Sequence, residues 1–132
     1  MMMSRITLRR LLFADAGISG ATGLVMLFGA HPLHALLDVP MLLIRYSGLA
    51  LIPFAAMVWY FARSPRLSAS QVWTVIAMNA AWVVASVLVL VSGAIDPNAW
   101  GVAFVLLQAL AVAGLAEFQY SALRSRPLIR HA

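Results

Sequence analysis

The stretch VWTVIAMNAAWVVASVLVLV, residues 72–91, runs for 20 residues without a charged side chain. At 1.5 Å per residue, a helix of about 20 residues crosses a hydrocarbon core of about 30 Å. Three further stretches are of similar length, each with one ionisable group: 11–29 with Asp15, 41–62 with Arg45, and 101–120 with Glu117. The runs are continuous rather than alternating, and about twice as long as a membrane strand requires. Lipid offers the backbone no hydrogen-bond partner, so each span must satisfy its own amides, as a helix does. The expected fold is an all-α membrane protein: four transmembrane helices in an up-down-up-down bundle, forming one integral membrane domain over residues 1–132.

Composition agrees. Apolar residues make up 64% of the chain and charged residues 10%, against roughly 45–50% and about 25% in soluble domains. Such figures exclude an ordinary soluble domain, and disorder as well. There is no cysteine, which removes disulfides, thiolate metal sites and thiol nucleophiles. The first apolar run is not read as a cleaved signal peptide. It is too long, it contains Asp15, and no clean small-residue cleavage site follows it.

Arginine distribution gives the orientation. Arg5, Arg9 and Arg10 precede the first span, Arg63 and Arg66 lie between the second and third, and Arg124, Arg126 and Arg130 follow the fourth. The other two loops carry Asp38, Asp96, His31 and His34, with no arginine or lysine. The positive-inside rule then puts both termini in the cytoplasm of a bacterial inner membrane. Trp59, Tyr60, Trp73 and Tyr120 fall near the inner boundary and Trp100 near the outer one. Trp82 sits mid-span, either as a packed tryptophan whose N–H finds a helix partner or as a stacking wall for an intramembrane ligand.

Close helix approach needs small residues. Gly17, Gly20 and Gly23 in span one, Ala77, Ala81 and Ala85 in span three, and Ala109 and Ala113 in span four supply them. Pro53 lacks an N–H and frees the Leu49 carbonyl, so span two is expected to bend there, for packing or as a gating hinge. An internal similarity at an offset of 64 aligns Asp15-Ala16, Ala21-Thr22, Leu24-Val25 and Gly29-Ala30 with Asn79-Ala80, Ala85-Ser86, Leu88-Val89 and Gly93-Ala94. A duplicated hairpin about an axis normal to the membrane would produce it.

Polar residues within spans are costly, at about 2.5–3.5 kcal/mol for a charge at mid-membrane. Asp15, Asn79 and Glu117 fall at depths of roughly 6, 10 and 5 Å from the cytoplasmic side. They form the candidate inner-leaflet binding cluster. If Asp15 and Glu117 face each other in a dry place, only one carries charge at a time, as a proton-coupled carrier needs. The alternative is pairing with Arg9, Arg10, Arg63 or Arg124 at the boundary. Arg45 lies roughly 6 Å from the opposite face, too far from Asp15 for an ion pair. It is expected to snorkel, to reach Asp38 or Asp96, to hydrogen-bond Gln108 as an outer-leaflet polar pair, or to recognise an anion. His31 and His34 are too few for a zinc site, so no metal and no cofactor is expected. The tail Arg124-Ser125-Arg126-Pro127 suits anionic lipid, and nothing indicates nucleic-acid binding.

From Leu8 to Leu123 the chain resembles a widespread type of small four-helix bacterial inner-membrane protein. The residues carrying this are Asp15-Ala16…Gly20-Ala21-Thr22-Gly23, Arg45…Gly48…Pro53-Phe54-Ala55, Asn79-Ala80-Ala81-Trp82, and Gln108-Ala109…Ala116-Glu117. That resemblance implies no activity. A weaker likeness is to small multidrug transporters, with four helices and a carboxylate early in the first. Their carboxylate is a glutamate and several insert in both orientations, whereas Asp15 and the one-sided arginines depart from that pattern.

Three readings follow. The first is a helix-packing or assembly module, acting with lipid and with itself as a homo-oligomer or with a larger membrane complex. The second is a proton-coupled transporter of a small amphipathic molecule, with Asp15 titrating beside Asn79 and Glu117. A membrane enzyme comes last, because the spans hold no paired histidines, cysteine or phosphate loop.

Overall fold

The computed structural model describes residues 5–124 as five helices: α1 (Arg5–Phe28), α2 (Ala30–Leu37), α3 (Met41–Arg63), α4 (Ala69–Val91) and α5 (Ala99–Arg124). The described residues contain no strand. All but α2 are long and apolar enough to cross a membrane. Arg126 and Arg130 of the basic tail lie outside the described residues.

The helices outrun the apolar runs at their ends. α1 begins at Arg5, ahead of residue 11, and α5 continues past residue 120 to Arg124. Long arginine side chains allow this, because they keep their charge at the boundary while the backbone stays helical. α4 begins ahead of residue 72 because Ser68 caps it. The Gln71 amide donates to Ser68 Oγ at 3.2 Å, and the Ser68 amide donates to Gln71 Oε1 at 3.0 Å. This reciprocal pair satisfies two backbone donors that would otherwise be orphaned.

A fifth helix, α2, occupies what the sequence alone gave as loop. Continuing α1 through Pro32 would deny the Phe28 carbonyl its donor. The chain instead breaks at Gly29 and restarts, leaving Pro32 in a first turn where no N–H is needed. Asp38 ends α2 in the left-handed region, φ 58°, with its amide bonded to the His34 carbonyl.

α1 packs most extensively on α3, and α4 on α5; the two pairs meet along α1 and α5, while α3 and α4 scarcely touch. At the α1–α3 crossing, a Cβ on Gly48 would lie 2.6 Å from the Gly23 carbonyl oxygen and 2.7 Å from the Leu27 nitrogen. Only a hydrogen fits there, as small-residue membrane contacts require. The alanine stripe of α4 behaves otherwise: Ala77, Ala81 and Ala85 are exposed, so it is not the seam that joins α4 to the bundle. α3 continues unbroken through Pro53, which is itself exposed.

Two apolar clusters hold the bundle. One joins Leu8, Leu12, Val58, Ala62, Val72 and Val75 near the start of α1. The other joins Met26, Ala30, Leu37, Ile44 and Leu51 at the far end. The outer surface is apolar as well, with Phe28 81% and Val91 73% exposed. Such a surface is costly in water and at home in hydrocarbon.

Candidate functional site

Between the two apolar clusters lies a layer of buried polar side chains. Asp15 is 1% exposed, Asn79 3% and Gln119 0%. Asp15 Oδ2 accepts from Asn79 Nδ2 at 2.7 Å and from Gln119 Nε2 at 2.8 Å, and Oδ1 accepts from Ser19 Oγ at 3.1 Å. Asn79 Nδ2 also donates to Gln119 Oε1 at 3.2 Å. Three helices contribute: Asp15 and Ser19 one turn apart on α1, Asn79 on α4, and Gln119 on α5. The apolar surroundings make an unpaired member expensive, so the layer ties the two helix pairs together.

Of the three residues expected to cluster here, Asp15 and Asn79 meet and Glu117 does not. Glu117 is exposed. Residues two apart on a helix point about 200° from each other, so α5 can present either Glu117 or Gln119 to Asp15. It presents the neutral amide, which donates to the carboxylate, and turns the acid outward. Ser19 was also missed, although its place four residues after Asp15 is a readable signal. Arg9, a proposed partner for the acids, instead donates to the Ala62 carbonyl at 2.6 Å and to the Pro65 carbonyl at 3.4 Å, closing the end of α3. Arg124 lies 5.5 Å from the Tyr120 ring centroid.

A second polar group lies further along the bundle. The Trp82 indole N–H donates to Gln108 Oε1 at 2.7 Å. Gln108 Nε2 donates to Ser86 Oγ at 3.0 Å, and Ser86 Oγ donates to the Trp82 carbonyl at 2.8 Å. The expected Arg45–Gln108 pair is therefore replaced: Gln108 bonds inward across α4 and α5, and Arg45 is exposed on α3. Arg45 adjoins buried Ile44, and one residue along a helix turns the side chain by about 100°, away from the core.

Two cavities reach these polar groups. One, called outer only for its place on the α2 side of the bundle, is about 180 Å³ and is bounded by Met26, Ser47, Trp82, Ser86, Phe104 and Gln108 among others. The other, called inner and lying next to the Asp15 layer, is about 130 Å³ and is bounded by Ser19, Phe54, Met78, Asn79 and Trp82 among others. Leu51 and Trp82 belong to both walls, so the cavities are neighbours separated by these two side chains. Pro53 faces neither cavity. The described residues hold no grouping of three or more His, Asp or Glu side chains able to bind a metal. His31 and His34 are exposed on α2, and His34 Nδ1 is 2.7 Å from the Val39 carbonyl.

Comparison with known proteins returns no match: no family model, no curated protein and no solved structure matches this chain.

Proposed function

We propose that this protein is a multi-pass carrier of a small amphipathic molecule in a bacterial inner membrane, with Asp15 as its coupling group. In this reading the four long helices run up-down-up-down and both termini are cytoplasmic, following the arginines. The observation that carries the reading is the pair of adjoining cavities, the inner one bounded by Ser19 and Asn79, both of which bond Asp15. Apolar walls with a few convergent polar groups are the usual make-up of a ligand site. Gln119 takes the place Glu117 was expected to hold, so the coupling no longer draws on two facing carboxylates and rests on Asp15 alone.

The test is proton exchange with the medium by purified protein in weakly buffered detergent as candidate amphipathic molecules are added. A carrier coupled through Asp15 takes up or releases protons on binding, and Asp15→Asn abolishes the exchange while the variant still folds. Exchange that is unchanged in Asp15→Asn contradicts the assignment.

The packing or assembly reading is favoured by a different observation: α4 and α5 are less covered by the rest of the chain than α1 and α3. Native mass spectrometry separates the two readings. Stable oligomers with no retained small molecule support assembly, and a monomer or dimer that keeps a small molecule supports the carrier.

A further inference from the structure

We infer that the two cavities are consecutive subsites for one class of ligand, a single-ring aromatic molecule bearing a hydroxyl or amino donor, and that Trp82 is the movable wall between them. This rests on the carrier reading and names its substrate class.

The two chambers are furnished alike. The outer one offers Phe104, Met26, Ser86 and the Gln108 amide. The inner one offers Phe54, Met78, Ser19 and the Asn79 amide. Each thus has one phenylalanine, one methionine, one side-chain amide and at least one serine, the outer one adding the hydroxyls of Ser47 and Thr22, and they share the Trp82 indole. Aromatic rings and thioethers are favourable neighbours for an aromatic ring. Size sets the ring count. An apolar cavity of about 150 Å³ admits benzene, and these chambers measure about 180 and 130 Å³. The outer chamber exceeds that benchmark and the inner one falls somewhat short of it, so one ring is the most either holds, and the inner one takes it only as its wall gives.

The polar edge selects a donor. The bonds within the buried layer leave the Asn79 side-chain oxygen unengaged, and Asn79 borders the inner chamber. In the outer chamber Gln108 Nε2 is already committed to Ser86 Oγ and the Val105 carbonyl, so Gln108 meets a newcomer with the second lone pair of Oε1. A ligand that donates a hydrogen bond is matched at both places. Passage from one chamber to the other requires the Trp82 ring to swing away from Leu51, the other side chain of the shared wall, and its single indole bond to Gln108 holds it in the closed position.

Phenol is the probe. In nanodiscs, with empty nanodiscs subtracted, isotope-labelled phenol is expected to bind saturably at two molecules per chain. Toluene, which lacks the donor, and hexanol, which lacks the ring, are expected to bind at least tenfold more weakly. Ala85→Leu enlarges a side chain on the open rim of the outer chamber, and Ala50→Leu does so at the inner one. Each is expected to reduce the stoichiometry from two to one. With Trp59, Trp73 and Trp100 replaced by phenylalanine, the emission of Trp82 is expected to change with the same saturation curve. Uptake indistinguishable from empty nanodiscs, a single site in the parent chain, or equal binding of hexanol overturns the inference. The parent stoichiometry decides the matter even where a leucine variant fails to fold. Proton exchange lost in Asp15→Asn concerns the coupling group alone, so failure of the carrier reading and failure of the two-subsite inference are read separately.

Discussion

The Asn79 side chain donates to Asp15 Oδ2 at 2.7 Å, and these two residues are separated by 64 positions, the offset at which α1 and α4 align in sequence. Positions that align at this offset therefore touch each other, one supplying the acceptor and the other the donor. α1 and α4 are otherwise held apart by their own partners, α3 and α5.

Removing one donor from this layer leaves a buried acceptor unpaired. Asn79→Ala and Gln119→Ala are each expected to lower stability by about 1–3 kcal/mol. Glu117→Ala, on the exposed side of α5, is expected to fall within about 0.5 kcal/mol of the parent. Unfolding in mixed micelles with increasing dodecyl sulfate measures all three.

The α1–α3 crossing tolerates no Cβ at Gly48. Gly48→Ala is expected to cost about 1–3 kcal/mol through overpacking. Gly17→Ala and Gly114→Ala, where a Cβ would meet nothing within 4 Å, are expected to be neutral in the same assay.

The Ser68 capping box sets where α4 begins. Ser68→Ala is expected to cost about 1 kcal/mol, and amide exchange in the first turn of α4 is expected to speed up.

The proposed sidedness is open to direct labelling because the chain has no cysteine of its own. Ala94→Cys, in the loop between α4 and α5, is expected to react with a membrane-impermeant maleimide added to intact cells. Ser64→Cys, after α3, is expected to react only once the cells are broken. The reverse pattern contradicts the proposed orientation.

The four long helices were legible because a continuous apolar run of that length has few other uses. Asp15 and Asn79 were legible because polar groups inside such runs need partners. The partners themselves were harder to read. Which face of a helix turns inward depends on the rotation of its neighbours, and the sequence near 117–119 offers two polar candidates on opposite faces. An ionisable residue drew the assignment to Glu117, while the neutral Gln119 could supply donors to a carboxylate that another acid could not. Gln108 was likewise assigned by depth to Arg45, although it lies on the face toward Trp82. α2 was missed because a helix of 8 residues containing proline carries no periodic signal of its own.

The central claim is that Asp15 and Asn79 form the joint between the helix pairs, and exchanging them tests it most directly. Asp15→Asn removes the charged acceptor on which three donors converge, and Asn79→Asp sets two acids against each other in a buried layer, so each is expected to destabilise. The double exchange restores one acid and one amide at the joint, with Gln119 in reach of both. Equilibrium unfolding of the parent, both single variants and the exchange is expected to show the exchange recovering most of the loss, with a coupling above about 1 kcal/mol. Penalties that simply add, within about 0.5 kcal/mol, would contradict the account.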